Sequence, residues 1–299
     1  MVMSYRGRFA PTPSGPLHFG SLVTALASWL DARYHRGEWR VRMDDLDPPR
    51  EQPGAADTIL RQLEAFGLHW DGALLYQSKR GDAYQAALDA LMERGQAFYC
   101  TLSRQQLKAL GNVHPGPSVA QPPGPDRAVR LTVPVAALCF DDRLQGRVCA
   151  QLADEEGPFV IRRRDGLFSY QLACALDDRD QDITDVVRGA DLLTSTLRQI
   201  RVLDCLGATA PRYAHLPVIL QPDGRGKISK SVGGAALNPD LKGPLTHAAL
   251  TCLGLSPPAG LQQAPVTDLL QWARENWTPA LLPRGTELPA PALLQGGQV

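Results

Sequence analysis

The chain has 299 residues, 44% of them hydrophobic, and its 31 basic and 31 acidic side chains balance to zero net charge. That length supports one large or two modest domains with buried cores, and the balance excludes a general polyanion binder, so any nucleic-acid surface must be local. No run of about 18 apolar residues is present, so no membrane span is expected, and Met1 to Ala10 lacks an apolar signal core, which points to the cytoplasm.

Residues Arg6 to Ala10 read as a short strand, broken by the turn-rich stretch Pro11 to Gly20. Leu22, Ala25, Leu26, Trp29 and Leu30 then fall at helical spacing and predict a helix over Ser21 to Tyr34, stopped by Gly37. Trp39, Val41 and Met43 alternate with Arg40 and Arg42, a strand period, and the acidic cluster Asp44, Asp45, Asp47 follows that strand's end. Strand, loop, helix, strand is the order of a βαβ unit on a parallel sheet. Helices are expected through Ile59, Leu60, Leu63 and Phe66 to Gly67, and through Tyr84, Ala87, Leu88, Leu91 and Met92 to Gly95. Ser103 with Gln106 has the form of a capping box. Gly111 to Arg127 holds five prolines and three glycines and is a long loop. Strands resume at Ala128, with a hairpin of Phe159 to Arg163 and Leu167 to Ser169 around Asp165-Gly166. A helix over Tyr170 to Ala175, a strand at Val186 to Arg188, a helix over Leu192 to Leu206 and a strand over Leu216 to Leu220 follow. Two short helices are expected near Pro244 to Leu253 and Val266 to Trp277, and the Pro/Gly-rich end from Thr278 is expected to fray. The six cysteines, Cys100, Cys139, Cys149, Cys174, Cys205 and Cys252, form no CxxC pair and read as reduced, buried thiols.

Two segments carry chemistry. Pro11-Thr12-Pro13-Ser14-Gly15-Pro16-Leu17-His18-Phe19-Gly20 lies between a strand and a helix, where backbone N–H groups and a helix N-terminus favour negative charge. Gly15 and Gly20 let the backbone approach a ligand, and His18 can donate to phosphate oxygens. Lys227-Ile228-Ser229-Lys230-Ser231, flanked by Gly224, Gly226, Gly233 and Gly234, supplies positive charge for a departing pyrophosphate. Neither a GxGxxG nor a GxxxxGK[ST] fingerprint is present, so the commoner nucleotide folds are unsupported.

Arg8-Phe9-Ala10-Pro11-Thr12-Pro13-Ser14-Gly15 with Leu17-His18-Phe19-Gly20 resembles the glutamyl and glutaminyl branch of the class I aminoacyl-tRNA synthetases. Arg42-Met43-Asp44-Asp45-Leu46-Asp47-Pro48-Pro49-Arg50 resembles that branch's acidic element, and its ending is similar to the glutamyl-Q tRNA(Asp) synthetases. Asp165 to Ala173, Asp177-Asp178 and Val187 to Leu192 continue the match. The resemblance implies an α/β fold: a Rossmann-like parallel-sheet catalytic domain, an inserted α+β acceptor-type subdomain and a short helical C-terminal region, without an anticodon-binding domain. The expected divisions are 1–95 and 176–235 for the two catalytic halves, 96–175 for the insertion and return to the sheet, and 236–299 for the end. Too little chain follows Ser231 for an anticodon-binding domain, which favours the glutamyl-Q family.

The resemblance also implies an activity and its residues. Members activate L-glutamate with ATP and Mg²⁺ without tRNA, then attach it to the queuosine base in the tRNA(Asp) anticodon. His18, Lys227 and Lys230 would be catalytic. ATP would meet Thr12, Gly15, His18, Gly20, Lys227, Ser229 and Lys230. Glutamate would meet Arg8 through its two-pronged fork, the backbone and hydroxyl of Ala10, Pro11 and Thr12, and Asp44, Tyr170 and Arg188, with Arg188 on the side-chain carboxylate. Asp44 stands where the branch usually has glutamate, facing the substrate ammonium. Related members often hold a structural zinc, but here only Cys100 and His114 remain of its four ligands, so no zinc is expected. The protein is expected to be a monomer. Two alternatives stand beside this reading: a truncated glutamyl-tRNA synthetase needing a partner, and a non-catalytic paralogue.

Overall fold

The computed structural model describes residues 4–224, 226–228 and 236–295. β1 (Arg6–Phe9) runs into the Pro/Gly loop, α1 (Phe19–Tyr34) follows, and β2 (Glu38–Met43) returns parallel to β1 with Phe9 opposite Val41. The expected βαβ unit is therefore present. α1 is apolar on nearly all sides because it is covered on nearly all sides. Leu22, Leu26 and Leu30 are fully buried, with the β-sheet on one flank and the C-terminal helices on the other. Each buried leucine contributes about 1.5–3 kcal/mol relative to an exposed one.

After α2 (Ala55–Ala65), the two-residue β3 (Leu75–Tyr76) pairs parallel with β2, and α3 (Gly81–Glu93) follows. β4 (Ala97–Cys100), β5 (Ala128–Leu131) and β8 (Phe159–Arg162) form a separate three-stranded antiparallel sheet. Within its span lie α4 (Arg104–Ala109), β6 (Leu138–Asp142), β7 (Gly146–Ala150) and α5 (Leu152–Glu155). α4 opens on the Ser103–Gln106 capping box. α6 (Tyr170–Asp180), β9 (Asp185–Gly189), α7 (Leu193–Cys205) and β10 (Arg212–Leu216) rebuild the α/β alternation. β11 (Val218–Ile219), α8 (Lys242–Cys252), α9 (Val266–Asn276), β12 (Glu287–Leu288) and α10 (Ala292–Gln295) complete the described chain. The main sheet has seven strands in the order β3-β2-β1-β9-β10-β6-β7, all parallel except the β6–β7 hairpin at one edge.

Four expectations are corrected. Cys139 and Cys149 are not buried thiols. The antiparallel register of β6 and β7 sets them opposite each other on an exposed face, where they form a disulfide. A ten-residue spacing gives no hint of this; only the hairpin register brings the two sulfurs together. Cys100, Cys174 and Cys205 are buried free thiols, and Cys252 is half-buried. The segment after Thr278 does not simply fray: β12 pairs parallel with β11, which ties the tail to the sheet's C-terminal end. The strand expected at Leu216 to Leu220 begins earlier, at Arg212, and is interrupted after Leu216, at Pro217, which has no N–H to donate. The helix at Tyr170 continues past Ala175 to Asp180, because its polar residues Asp177 and Asp178 face buried partners rather than water. No helix among the described residues is long and apolar enough to cross a membrane.

Candidate active site

The C-terminal ends of the parallel strands open onto a cleft of about 560 Å³. Its lining includes Phe9 at the end of β1, Pro11, Thr12 and His18 from the loop after it, Gly20 and Ser21 from the first turn of α1, and Gly189, Asp191 and Lys227 from the second half. Lys227 and Ile228 of the second signature thus face the first signature loop, remote in sequence, across one cleft at the expected edge of a parallel sheet.

The loop is held at both ends. Asp44 donates its backbone N–H to the Pro11 carbonyl (3.0 Å), and Leu17 donates its N–H to Gln62 Oε1 (2.7 Å). Gly15 has φ +132°, a conformation that side chains rarely adopt. His18 is the N-cap of α1, and its Nδ1 accepts the Ser21 N–H at 3.3 Å. In the neutral ring that leaves Nε2 carrying the proton, as a donor. No acidic residue occupies the first turn of α1, so the helix N-terminus keeps its positive potential. A Cβ on Gly20 would stand 3.2 Å from His18 Cε1, so the glycine makes room for the ring.

Across the cleft, Lys227 Nζ is paired with Asp191. Ser229 and Lys230 lie outside the described residues. Arg50 and Gln52 also line the cleft. In the sequence Arg50 is visible only as part of a motif and Gln52 carries no signal, because the turn after Asp47 that aims them has no spacing pattern.

Behind the cleft lies a buried polar cluster. Arg8 on β1 is 3% exposed, and its Nε and Nη2 donate to Asp178 Oδ1 (3.2 Å) and Oδ2 (3.3 Å). Two of its donors are therefore taken by Asp178 in this structure. Arg42 on β2 donates through Nε to Asp44 Oδ1 (2.7 Å) and through Nη1 to Asp178 Oδ1 (2.7 Å). Burial would raise the Asp178 carboxyl, but the two guanidiniums overcome it and bring it down to about 2. Asp44 goes the other way: burial raises it, and its share of Arg42 does not compensate. Asp44 thus sets its ion pair with Arg42 against the cost of its burial.

Arg188 on β9 is also 3% exposed. Its Nη2 donates to Thr196 Oγ1 (2.7 Å) and its Nε to His215 Nε2 (3.1 Å). Its Nη1 is buried without a hydrogen-bond partner. A guanidinium N–H left unpaired inside a protein is costly, and its natural complement is an incoming oxygen. Tyr170, the first residue of α6, senses the charges of Arg188, Asp44 and Arg8 around a phenol that burial pushes above its usual range. The structure therefore brings Arg8, Asp44, Tyr170 and Arg188 together beside the cleft that holds Pro11, Thr12, His18 and Lys227. Ala10 directly follows β1.

The catalytic-domain profile of the class I tRNA synthetases (E and Q) matches residues 4–123 and 120–236. Proteins named glutamyl-Q tRNA(Asp) synthetase match along almost their whole length. That of Ectopseudomonas mendocina is 53% identical, covering 96% of this chain and 98% of its own. That of Pseudomonas aeruginosa PAO1 is 51% identical, covering 97% and 99%. The chain belongs to the glutamyl-Q tRNA(Asp) synthetase family. A glutamate tRNA ligase of Elizabethkingia meningosepticum shares the fold, with a TM-score of 0.80 at 24% identity, over 98% of this chain and 68% of its own.

Zinc does not fit this family member's residues. Cys100 Sγ and His114 Nε2 do meet, at 3.1 Å, and Gly116 donates its N–H to His114 Nδ1 at 3.1 Å. Nε2 is then the donor to the sulfur. Burial and the nearby Arg130 lower His114 to about 4, so the ring is neutral at ordinary pH. Among the described residues no group of three or more His, Cys, Asp or Glu side chains stands together, and two donors do not close a tetrahedral site. The pair instead joins the rim of β4 to the Pro-rich loop.

Proposed function

We propose that this chain activates L-glutamate with ATP, without tRNA, and transfers it to the queuosine base in the anticodon of tRNA(Asp). One observation carries the glutamate assignment: the buried Nη1 of Arg188 has no hydrogen-bond partner, and the buried carboxylate of Asp44 lies near the same Tyr170. A buried positive donor and a buried negative acceptor complement the side-chain carboxylate and the ammonium of glutamate. Arg8, already held by Asp178, adds positive charge beside the pocket rather than a second fork.

ATP lies in the cleft between the N-terminus of α1 and Lys227 in this reading. The glutamate α-carboxylate attacks the α-phosphorus in line and pyrophosphate leaves. His18 Nε2–H and Lys227 stabilise charge as it builds on the phosphates, and positioning supplies most of the rest. The ATP-site residues are Thr12, Gly15, His18, Gly20 and Lys227, with Ser229 and Lys230 completing the signature. Mg²⁺ would enter with ATP: among the described residues Asp191 is the only carboxylate on the lining, and it is already paired with Lys227, so the ion would be held mostly by phosphates and water. In the second step a queuosine ring hydroxyl attacks the acyl carbon of the adenylate and AMP departs.

The test is pyrophosphate exchange with each amino acid, with and without tRNA, followed by transfer to tRNA(Asp) with and without queuosine. Glutamate-dependent exchange without tRNA, and transfer only to the queuosine-bearing tRNA, is the expected result. Transfer to tRNA(Glu), or exchange that needs tRNA, refutes it.

Two variants probe the ATP half. Lys227→Ala is expected to slow exchange roughly 10- to 100-fold. Its melting temperature should hardly move, because Lys227 and Asp191 are 46% and 34% exposed and such pairs contribute about 0–1 kcal/mol. A large loss of stability with unchanged exchange would show the lysine to be structural. Gly20→Ala is expected to raise the KM for ATP roughly three- to tenfold by turning the His18 ring off its cap. Folding should be spared, since alanine favours a helix over glycine by about 1 kcal/mol. An unchanged KM for ATP sinks the idea that His18 needs that space.

A further inference from the structure

Three strands bring a hydrogen-bonded chain to the back of Arg188. His215 on β10 is the cross-strand partner of Arg188 on β9 and is fully buried. Asp142 ends β6, the next strand over, and its Oδ2 lies 2.6 Å from His215 Nδ1. Asp142 Oδ1 accepts the backbone N–H groups of Leu144 (2.9 Å), Gln145 (2.9 Å) and His215 (3.2 Å). On the far side of the ring, His215 Nε2 lies 3.1 Å from Arg188 Nε and 3.0 Å from Thr196 Oγ1.

The protons follow from the partners. Three backbone donors and the imidazole stabilise the Asp142 carboxylate against its burial, so it stays ionised and accepts from Nδ1. Burial keeps the His215 ring neutral. A neutral imidazole with its proton on Nδ1 has a lone pair on Nε2, and that lone pair is what Arg188 Nε–H needs. The opposite tautomer would set Nε2–H against Nε–H and push the guanidinium away. Arg188 also stacks over Tyr213, its charge 5.4 Å from the ring centre. The Nε and Nη2 edge is thereby fastened and only Nη1 is left to reach forward.

We propose that Asp142 and His215 are positioning residues for substrate carboxylate recognition: Asp142 fixes the His215 tautomer, and His215 fixes the direction of Arg188 Nη1. This rests on the assignment of Arg188 to the glutamate side chain made above. Neither residue touches glutamate. Their role is to prevent the guanidinium from swinging, so that binding a carboxylate costs little reorganisation.

The decisive variant is Asp142→Asn. The amide has the carboxylate's shape, and its oxygen still accepts from Leu144 and Gln145, so the turn after β6 is preserved. Its NH₂ group donates to His215 Nδ1 and forces the proton onto Nε2. The KM for glutamate in pyrophosphate exchange is expected to rise roughly tenfold or more, with the KM for ATP unchanged. Nitrogen-15 shifts of His215 report the tautomer directly: Nδ1–H in the parent, Nε2–H in the variant. A switched tautomer with an unchanged KM for glutamate overturns the proposal, and so does an unswitched tautomer. Equal losses for glutamate and ATP, with a lowered melting temperature, also overturn it, by showing a merely structural role. If the parent protein shows no glutamate-dependent exchange at all, the assignment of Arg188 falls and this inference with it.

Discussion

Replacing Arg188 with alanine is expected to raise the KM for glutamate roughly 30- to 5000-fold, the cost of losing about 2–5 kcal/mol from one partner of a buried charge pair. The effect should be concentrated on glutamate. In the proposed arrangement ATP is held by other residues of the cleft, Gly20 and His18 on one side and Lys227 across from them. Arg188 does more than carry charge: its Nη2 holds Thr196 and its Nε holds His215, so truncation also leaves those buried acceptors short of a donor. Some loss of stability is therefore expected alongside the loss of binding. Arg188→Lys separates the two. It restores a charge but not the three-way fork, and it is expected to recover little of the glutamate affinity. Glutamine activation offers the sharpest control. A neutral side-chain amide gains less from a guanidinium, so the preference for glutamate over glutamine should shrink in both variants. Retention of full glutamate preference by Arg188→Ala would mean that another cation, such as Arg8, reads the side-chain carboxylate.

What the sequence shows and hides follows from chain distance. The loop after β1 announces its role locally, because proline, glycine and histidine at fixed spacing are needed to bring a helix N-terminus to a phosphate. Its cleft position and the βαβ unit around it are legible for that reason. Arg8, Asp44, Tyr170 and Arg188 are visible only inside matched motifs, and their convergence is a product of strand pairing. The partners that set their chemistry are hidden. Asp178 stands in a helix as one of several acidic residues, and only the closure of α6 over β1 and β2 makes it the anion of Arg8 and Arg42. Asp142, His215 and Thr196 come from β6, β10 and α7. Parallel neighbours in a sheet can be remote in sequence, so no periodicity links them. The Cys139–Cys149 bridge is hidden for another reason: the two cysteines are close in sequence, but only the register of an edge hairpin sets them opposite each other.

Asp178→Asn is expected to be the most destabilising of these changes, by about 3–5 kcal/mol, because it breaks a buried ion cluster from its centre. Asp178 is 3% exposed and accepts from both Arg8 and Arg42. Removing its charge leaves two guanidiniums in a dry interior, with Asp44 (2.7 Å) and Asp177 (3.9 Å) as the counter-ions that remain near Arg42. For a protein whose whole folding free energy is about 5–15 kcal/mol, that loss threatens the fold at physiological temperature. The cluster also has a pH signature with a definite sign. Asp178 is held at about 2 in the folded chain, against roughly 3.9 when unfolded. A depressed carboxyl contributes stability that is fully present above the unfolded value and drains away as pH falls through the folded one. Denaturant midpoints of the parent protein should therefore decline from near pH 4 towards pH 2. In Asp178→Asn the part of that decline due to this carboxyl should be absent, so the two curves converge as pH falls. Parallel curves across that window would show that the buried guanidiniums draw their compensation from elsewhere, and the account of this cluster would have to be redrawn around Asp44 and Asp177.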